Sequence, residues 1–239
     1  MPISDSSATA VDAAFDAAVS ARIAEVRERM DAAMARGGHG QPVTLIAVTK
    51  THGPEAVLAA WRAGVLDVGE NRVQEAEAKM DVVHEPVRWH LIGHLQRNKA
   101  KAAVRFSLVH GMDSLRLAQA LDAAALAAGT TLDVLLQVNV SGEESKSGLA
   151  LGEVAAMVEQ LHDCRQLRVM GAMTMAPFDA PESQLRQVFA GARQVRTQLQ
   201  QAGHPAPWLS MGMSGDFEVA IEEGATHVRL GSILFGSRT

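Results

Sequence analysis

The chain has 239 residues, 47% of them hydrophobic, with 22 Lys+Arg against 27 Asp+Glu and a formal net charge of -5. That length suits a single α/β barrel, and the charge leaves no global basic footprint of the kind nucleic-acid binding needs. The lone Cys164 forbids an intramolecular disulfide, no apolar run is long enough to span a bilayer, and the start MPISDSSATAVDAAFDAA lacks the basic region and unbroken apolar core of a secretory signal, so a cytoplasmic protein off the membrane is expected. There is no tyrosine, so no mechanism that needs a tyrosine acid or base can run on these residues.

Residues 1–10 are mostly Ser, Ala, Thr and Asp and are expected to be disordered, with one domain over 11–239. From 11 to 36, Phe15, Val19, Ile23, Val26, Met30 and Met34 recur at spacings of three and four, which predicts one amphipathic helix ended by Gly37 and Gly38. Residues 43–49 form a short apolar run with β-branched members, which reads as a strand buried on both faces. Lys50 stands at its carboxyl end, ahead of Thr51, His52, Gly53 and Pro54.

A regular alternation follows. Pro54 opens a helix to Ala63, closed by Gly64. Strand 65–68 leads into Gly69, Glu70 and Asn71, then a helix over 72–80. Strand 87–92 ends at Gly93 and His94, before a helix over 95–104. Strand 106–109 precedes a helix capped by Ser114 that runs to Ala128. Strand 132–140, the loop SGEESKSG and a helix over 151–162 come next, then strand 167–173 and a long helix over 181–201. Strand 208–211 is followed by a helix with Ser214 as its expected cap, running to Glu223. Strand 227–230, Gly231 and a last short helix complete the series. Eight apolar strands alternating with helices predict a single-domain TIM-type (β/α)8 barrel with an extra N-terminal helix. An open doubly wound sheet would alternate too, but no GxGxxG follows the first strand.

Function in such barrels sits at the carboxyl ends of the strands. The polar residues collected there are Lys50, Glu70, Asn71, His94, Asn139, Ser141, Thr174, Ser210, Ser214, Arg229 and Ser232. A lysine held against apolar walls has its amine pKa lowered, and the neutral amine is the form that attacks a carbonyl. Ser210-Met-Gly-Met-Ser214-Gly215 and Arg229-Leu-Gly231-Ser232 follow the seventh and eighth strands, the usual phosphate site of the fold. Asp216 and Glu218 would repel a phosphate if they faced it. Gly212-Met-Ser214-Gly215 is no nucleophile elbow, because the second glycine of that motif would fall at Asp216. His90 and His94 are four apart, but Gly93 breaks any helix between them, so core or loop histidines are expected rather than a metal site. Arg97, Lys99, Lys101 and Arg105 read as a solvated helix face. Met170, Met173, Met175, Met211 and Met213 alternate as strand residues do, and Met173 and Met213 sit where they could flank a flat ring.

A lysine and a phosphate site on one barrel face suit two ligand classes: a phosphosugar that forms a Schiff base, or pyridoxal 5'-phosphate (PLP), whose aldehyde would meet Lys50. An arginine such as Arg229 facing a pyridine nitrogen would keep that nitrogen unprotonated and weaken the ring as an electron sink. These residues alone leave the fork open.

The stretches LIAVTK, VGENRVQEA, WHLIGHLQRNK, VNVSGEESKSG, VMGAMTM, SMGMSGD and VRLGSILFG together resemble the PLP homeostasis (YggS-type) proteins, from about residue 20 to 237. The resemblance implies a PLP-binding barrel akin to the N-terminal barrel of alanine racemases. It implies Lys50 as the Schiff-base lysine, Asn71 and Met173 beside the cofactor, Ser210, Gly212, Met213, Gly231 and Ser232 holding or flanking its phosphate, and Arg229 facing the pyridine nitrogen. Lys146 would be a secondary contact or transfer site. His94 stands where the family usually has proline, Met211 for leucine, Gly215 for aspartate and Ser232 for a common threonine. The family has no established catalytic reaction; its members are understood to buffer or deliver PLP. The resemblance implies a non-catalytic, monomeric carrier serving PLP-dependent apoenzymes. The alternatives are a weak PLP-dependent racemase using Lys50 with His94 or a water, and a phosphosugar lyase or aldolase. Racemases of this fold need a tyrosine from a further domain as second base, and this sequence offers neither.

Overall fold

The computed structural model describes residues 6–143 and 147–236. Helix α1 (Ser6–Gly37) starts earlier than expected. Then come β1 (Thr44–Val48), α2 (Pro54–Arg62), β2 (Asp67–Glu70), α3 (Val73–Met80) and β3 (Arg88–Leu91). A 3-10 turn (Arg97–Lys99) leads into α4 (Ala100–Ala103), followed by β4 (Leu108–Met112), α5 (Leu115–Ala127) and β5 (Leu132–Asn139). The two-residue β6 (Leu149–Ala150) precedes α6 (Val154–Gln160), β7 (Leu167–Met173), α7 (Glu182–Gln201), β8 (Trp208–Ser210), α8 (Phe217–Glu222), β9 (His227–Leu230) and α9 (Ser232–Phe235).

The strands pair in parallel in the order β4-β3-β2-β1-β9-β8-β7-β5, and β4–β5 pairing closes the ring. This is the expected eight-stranded (β/α)8 barrel with its N-terminal helix. The unanticipated β6 pairs with the carboxyl end of β5, Val138 against Leu149. The basic stretch expected as one helix over 95–104 splits into the 3-10 turn and the single turn of α4.

Two separate cores hold the barrel together. The outer one lies between strands and helices, where Ala47, Val68, Val109, Val134 and Leu209 meet residues such as Ala60, Leu121, Phe189 and Phe217. Each fully buried Leu or Phe there is worth about 1.5–3 kcal/mol of transfer free energy. The stripe of α1 joins this core through Val19, Ile23, Val26, Met30 and Ala33. Ion pairs fix the helix on the barrel: Arg29 and Arg36 meet Glu218 of α8, and Arg62 of α2 meets Asp16. The second core is small. Leu108, Leu135 and Met173 pack together inside the barrel, and much of the remaining interior is polar.

Candidate functional site: the carboxyl face of the barrel

Lys50 lies half-buried in the turn directly after β1, where Thr51 takes a positive φ of 67°. Its neighbour Thr49 is fully buried and tied down twice. The Thr49 hydroxyl donates to Glu70 Oε1 at 2.5 Å, and Lys79 Nζ donates to the Thr49 carbonyl at 2.7 Å. The same ammonium donates to Glu70 Oε1 at 2.6 Å. Lys79 therefore reaches from the last turn of α3 to clamp the ends of β1 and β2, at the residue preceding Lys50.

Arg229 projects from β9, the strand beside β1, with Ile46 as its register partner. It is 4% exposed. Its Nη1 donates to Ser210 Oγ at 2.6 Å and its Nη2 to the Thr174 carbonyl at 2.9 Å. Burial lowers its pKa to about 10, with Asp216 pulling the other way, so the guanidinium stays a cation at neutral pH. The Asp216 carboxylate also accepts the Met213 N–H at 2.5 Å. Glu218 faces away from the site, toward Arg29 and Arg36 of α1.

Behind Arg229 a buried polar chain runs down the barrel interior. Ser210 Oγ lies 2.8 Å from His110 Nδ1, His110 Nε2 lies 3.0 Å from His90 Nδ1, and His90 Nε2 lies 2.9 Å from Asp67 Oδ1. Arg88 grips the same carboxylate through Nε at 2.7 Å and through Nη2. Burial opposes ionisation of Asp67, but the bonds from His90 and Arg88 outweigh it and hold the carboxyl at about 2. Burial, reinforced by the charges around it, pushes His110 well below the ordinary histidine range and His227 down to about 4.

These shifts make an acid-stability prediction. Unfolded His227 takes a proton near 6.5 and the folded residue only near 4. Stability present above pH 6.5 therefore falls between 6.5 and 4, by about 3 kcal/mol from this residue. The Asp67 contribution has the opposite group chemistry but the same sign: it is present above 3.8 and lost as pH falls through about 2. Urea midpoints measured across that range should decline on acidification, and His227→Gln should flatten the upper part. An unchanged slope in the variant would refute the assignment.

The strand order gathers the expected residues on five adjoining strands, β2-β1-β9-β8-β7. Asn71 is half-buried after β2, Lys50 follows β1, Gly231 and the exposed Ser232 follow β9, Gly212 and the exposed Met213 follow β8, and the buried Met173 ends β7. Gly212 has φ 93°, and a Cβ there would meet Ala220 Cβ at 2.7 Å and Phe217 Cα at 2.9 Å, so only glycine lets this loop lie on α8. Ser214 is not the cap of α8. Asp216 holds that position, and Ser214 Oγ instead accepts the Ile233 N–H at 3.4 Å. Thr174 turns inward and donates its hydroxyl to the Val138 carbonyl at 2.9 Å. Asn139 Oδ1 accepts from the Ser141 hydroxyl and the Gly142 N–H, shaping the loop after β5. His94 is exposed and pairs with Asp113 at 3.3 Å, on the rim of a cleft of about 500 Å³. No cluster of metal-ligating side chains occurs among the described residues. No described helix is long and apolar enough to cross a membrane. Lys146 lies outside the described residues.

Residue-by-residue reading missed His110, Asp67 and Lys79. Strand parity carried part of the signal: Arg88-x-His90 and His227-x-Arg229 put polar side chains two apart, on one face of their strands.

The sequence model of the alanine racemase N-terminal domain family matches residues 21–239. The barrel superposes on alanine racemase from Corynebacterium glutamicum with a TM-score of 0.70 at 16% identity, covering 93% of this chain and 61% of that one, a likeness of fold alone. Closer relatives narrow the class. The pyridoxal phosphate homeostasis protein of Aquifex aeolicus is 39% identical over 91% of this chain and 97% of its own, and that of Pseudomonas aeruginosa 41% over 92% and 96%. PipY of Synechococcus elongatus PCC7942, solved with PLP bound, gives a TM-score of 0.80 at 36% identity, covering 91% of this chain and 100% of that one. The chain belongs to the pyridoxal phosphate homeostasis protein family.

Proposed function

We propose that this protein binds PLP on the carboxyl face of the barrel, with Lys50 as its Schiff-base lysine, and takes part in intracellular PLP homeostasis by buffering or delivering the cofactor. The observation that carries this is the placement of Lys50 and Arg229 toward the carboxyl ends of adjoining strands, two basic side chains, one half-buried in a turn, the other locked in the interior. The residues present fit the group. Arg229 spends two of its five N–H donors on protein acceptors, which leaves others for a pyridine nitrogen. The Gly212 and Gly231 loops, with Met213 and Ser232, suit a phosphate, and Asp216 is already engaged by Met213. Asn71 and Met173 flank the ring in this assignment. Ser210 departs from a phosphate role: its buried hydroxyl meets Arg229 and His110, which makes it an anchor for Arg229.

PLP on a lysine supplies an electrophilic carbon and an electron sink. Arg229 restrains the sink by keeping the ring nitrogen unprotonated, and the chain holds no tyrosine to serve as a second base. Both support a carrier rather than a catalyst; in this reading the protein is a cytoplasmic monomer that passes PLP to dependent apoenzymes. Borohydride-sensitive absorbance in the near-visible range is the test. The purified protein with PLP should show such a band, Lys50→Ala should lack it, and no exchange at the Cα of added amino acids should be seen. A band that survives Lys50→Ala would overturn the lysine assignment, and multiple-turnover racemisation would overturn the carrier role.

A further inference from the structure

We infer that Asp67, His90, His110 and Ser210 form a one-directional hydrogen-bond chain that holds the Arg229 guanidinium in place from the opposite end of the barrel, so that His110 and His90 are positioning residues for the site. Only its last link, to the ring nitrogen, rests on the PLP reading.

The direction follows from counting protons. Ser210 Oγ already accepts from Arg229 Nη1 at 2.6 Å. Its single hydroxyl proton then has His110 Nδ1 as acceptor at 2.8 Å. A neutral His110 that accepts at Nδ1 carries its proton on Nε2 and donates to His90 Nδ1 at 3.0 Å. His90 in turn carries its proton on Nε2 and donates to Asp67 Oδ1 at 2.9 Å. Every donor in this arrangement has an acceptor, and the run ends on a carboxylate held by Arg88. The reverse order fails. With His110 protonated at Nδ1, a neutral His90 would turn a bare nitrogen lone pair toward the Asp67 carboxylate, and the Ser210 proton would lose its His110 acceptor. Avoiding that clash needs an extra proton on a ring buried in the barrel, beside His227 and near Arg229 and Arg88.

The chain links both ends of the barrel. Asp67 and Arg88 begin β2 and β3, while Ser210 and Arg229 stand toward the ends of β8 and β9. All four linking residues are buried. A polarised, fully satisfied run in a low-dielectric interior is stiffer than its separate bonds. Two of the Arg229 donors are therefore fixed in direction before any ligand arrives.

The test uses the apoprotein first. Nitrogen-15 spectra of histidine-labelled protein should show His90 and His110 neutral at neutral pH, each with its proton on Nε2. Rotation of the Arg229 terminal nitrogens should be slow, and in a folded His110→Phe variant it should quicken. Asp67→Asn, altered at the far end, should change the His90 and His110 signals while leaving Arg229 present. With PLP added, His110→Phe should bind roughly tenfold more weakly and shift the absorbance band. A proton on His110 Nδ1, a doubly protonated His90, or unchanged Arg229 rotation in His110→Phe would each overturn the chain. A wild-type protein that shows the expected nitrogen signals but no borohydride-sensitive band would support the chain and sink the PLP reading alone.

Discussion

Lys79→Met is expected to destabilise the barrel by about 3–5 kcal/mol, because removing one partner of a buried ion pair leaves the other charge uncompensated. Glu70 is fully buried, and its Oε2 has no hydrogen-bond partner among the described residues, so nearly all its compensation comes through Oε1. That oxygen receives Lys79 Nζ and the Thr49 hydroxyl. Loss of the ammonium strands the carboxylate and also removes one of the two donors to the Thr49 carbonyl, leaving only the His52 N–H. The double variant Glu70→Leu with Lys79→Met should recover part of the loss, since an apolar pair of similar volume removes the stranded charge, while the buried Thr49 hydroxyl is left without its acceptor. Urea unfolding with unchanged m-values measures both. A single-variant loss under about 1 kcal/mol, the range of an exposed pair, would mean that Glu70 is not held as a charge by Lys79. The double variant should still loosen Lys50, because Thr49 would lose both of its side-chain ties and keep only its backbone bonds to Gly69 and His52. PLP binding should then fall although stability is partly restored.

Gly171→Ala should cost about 3–5 kcal/mol, combining backbone strain of order 1–3 with overpacking of similar size. Gly171 sits in β7 at φ 144°, outside the range alanine adopts comfortably. An added Cβ would press into the carbonyl oxygen of Trp208, its register partner on β8. The cause lies one residue earlier. β5 pairs Val134 with Val169 and then Leu135 with Gly171, so Met170 is extra and bulges. A bulge bends the strand and brings backbones close, which glycine tolerates. Gly129→Ala is the control. It has φ 64° with nothing within 4 Å of an added Cβ, so it should lose only about 1–2 kcal/mol from the left-handed backbone. Equal losses at the two positions would show that strain alone, not the β7–β8 contact, sets the cost at Gly171.

The architecture was legible because its signals are local. Strands 167–173 and 227–230 appear at the expected bounds, since each carries buried apolar residues at alternate positions, Leu167 and Val169 in one and Val228 and Leu230 in the other. The buried stripe of α1 follows from spacing alone. The site neighbourhood was legible too, because a parallel barrel places every strand end on one face, and counting eight strands collects Lys50, Asn71, Gly212, Arg229 and Gly231 without any knowledge of distances. The second strand shows the limit. Hydrophobicity placed it at 65–68, but it runs Asp67–Glu70 and buries both carboxylates. Asp67 is hydrogen-bonded by Arg88 and His90, and Glu70 by Thr49 and Lys79, at separations of 9 to 23 residues. A window along the chain reads such residues as exposed because it cannot see their partners.

The sequence by itself therefore determined the barrel, the face on which its strand ends gather and the place of Lys50 directly after the first strand, since these depend on periodicity and on the ends of strands. Only the tertiary structure decided which polar groups turn inward, that the Ser210 hydroxyl bonds Arg229, that Asp216 rather than Ser214 occupies the N-cap position of α8, and that Lys79 holds the Thr49 carbonyl. Those outcomes depend on hydrogen-bond geometry between strands distant in sequence, and a buried polar group is tolerable only where such a partner is within about 3 Å.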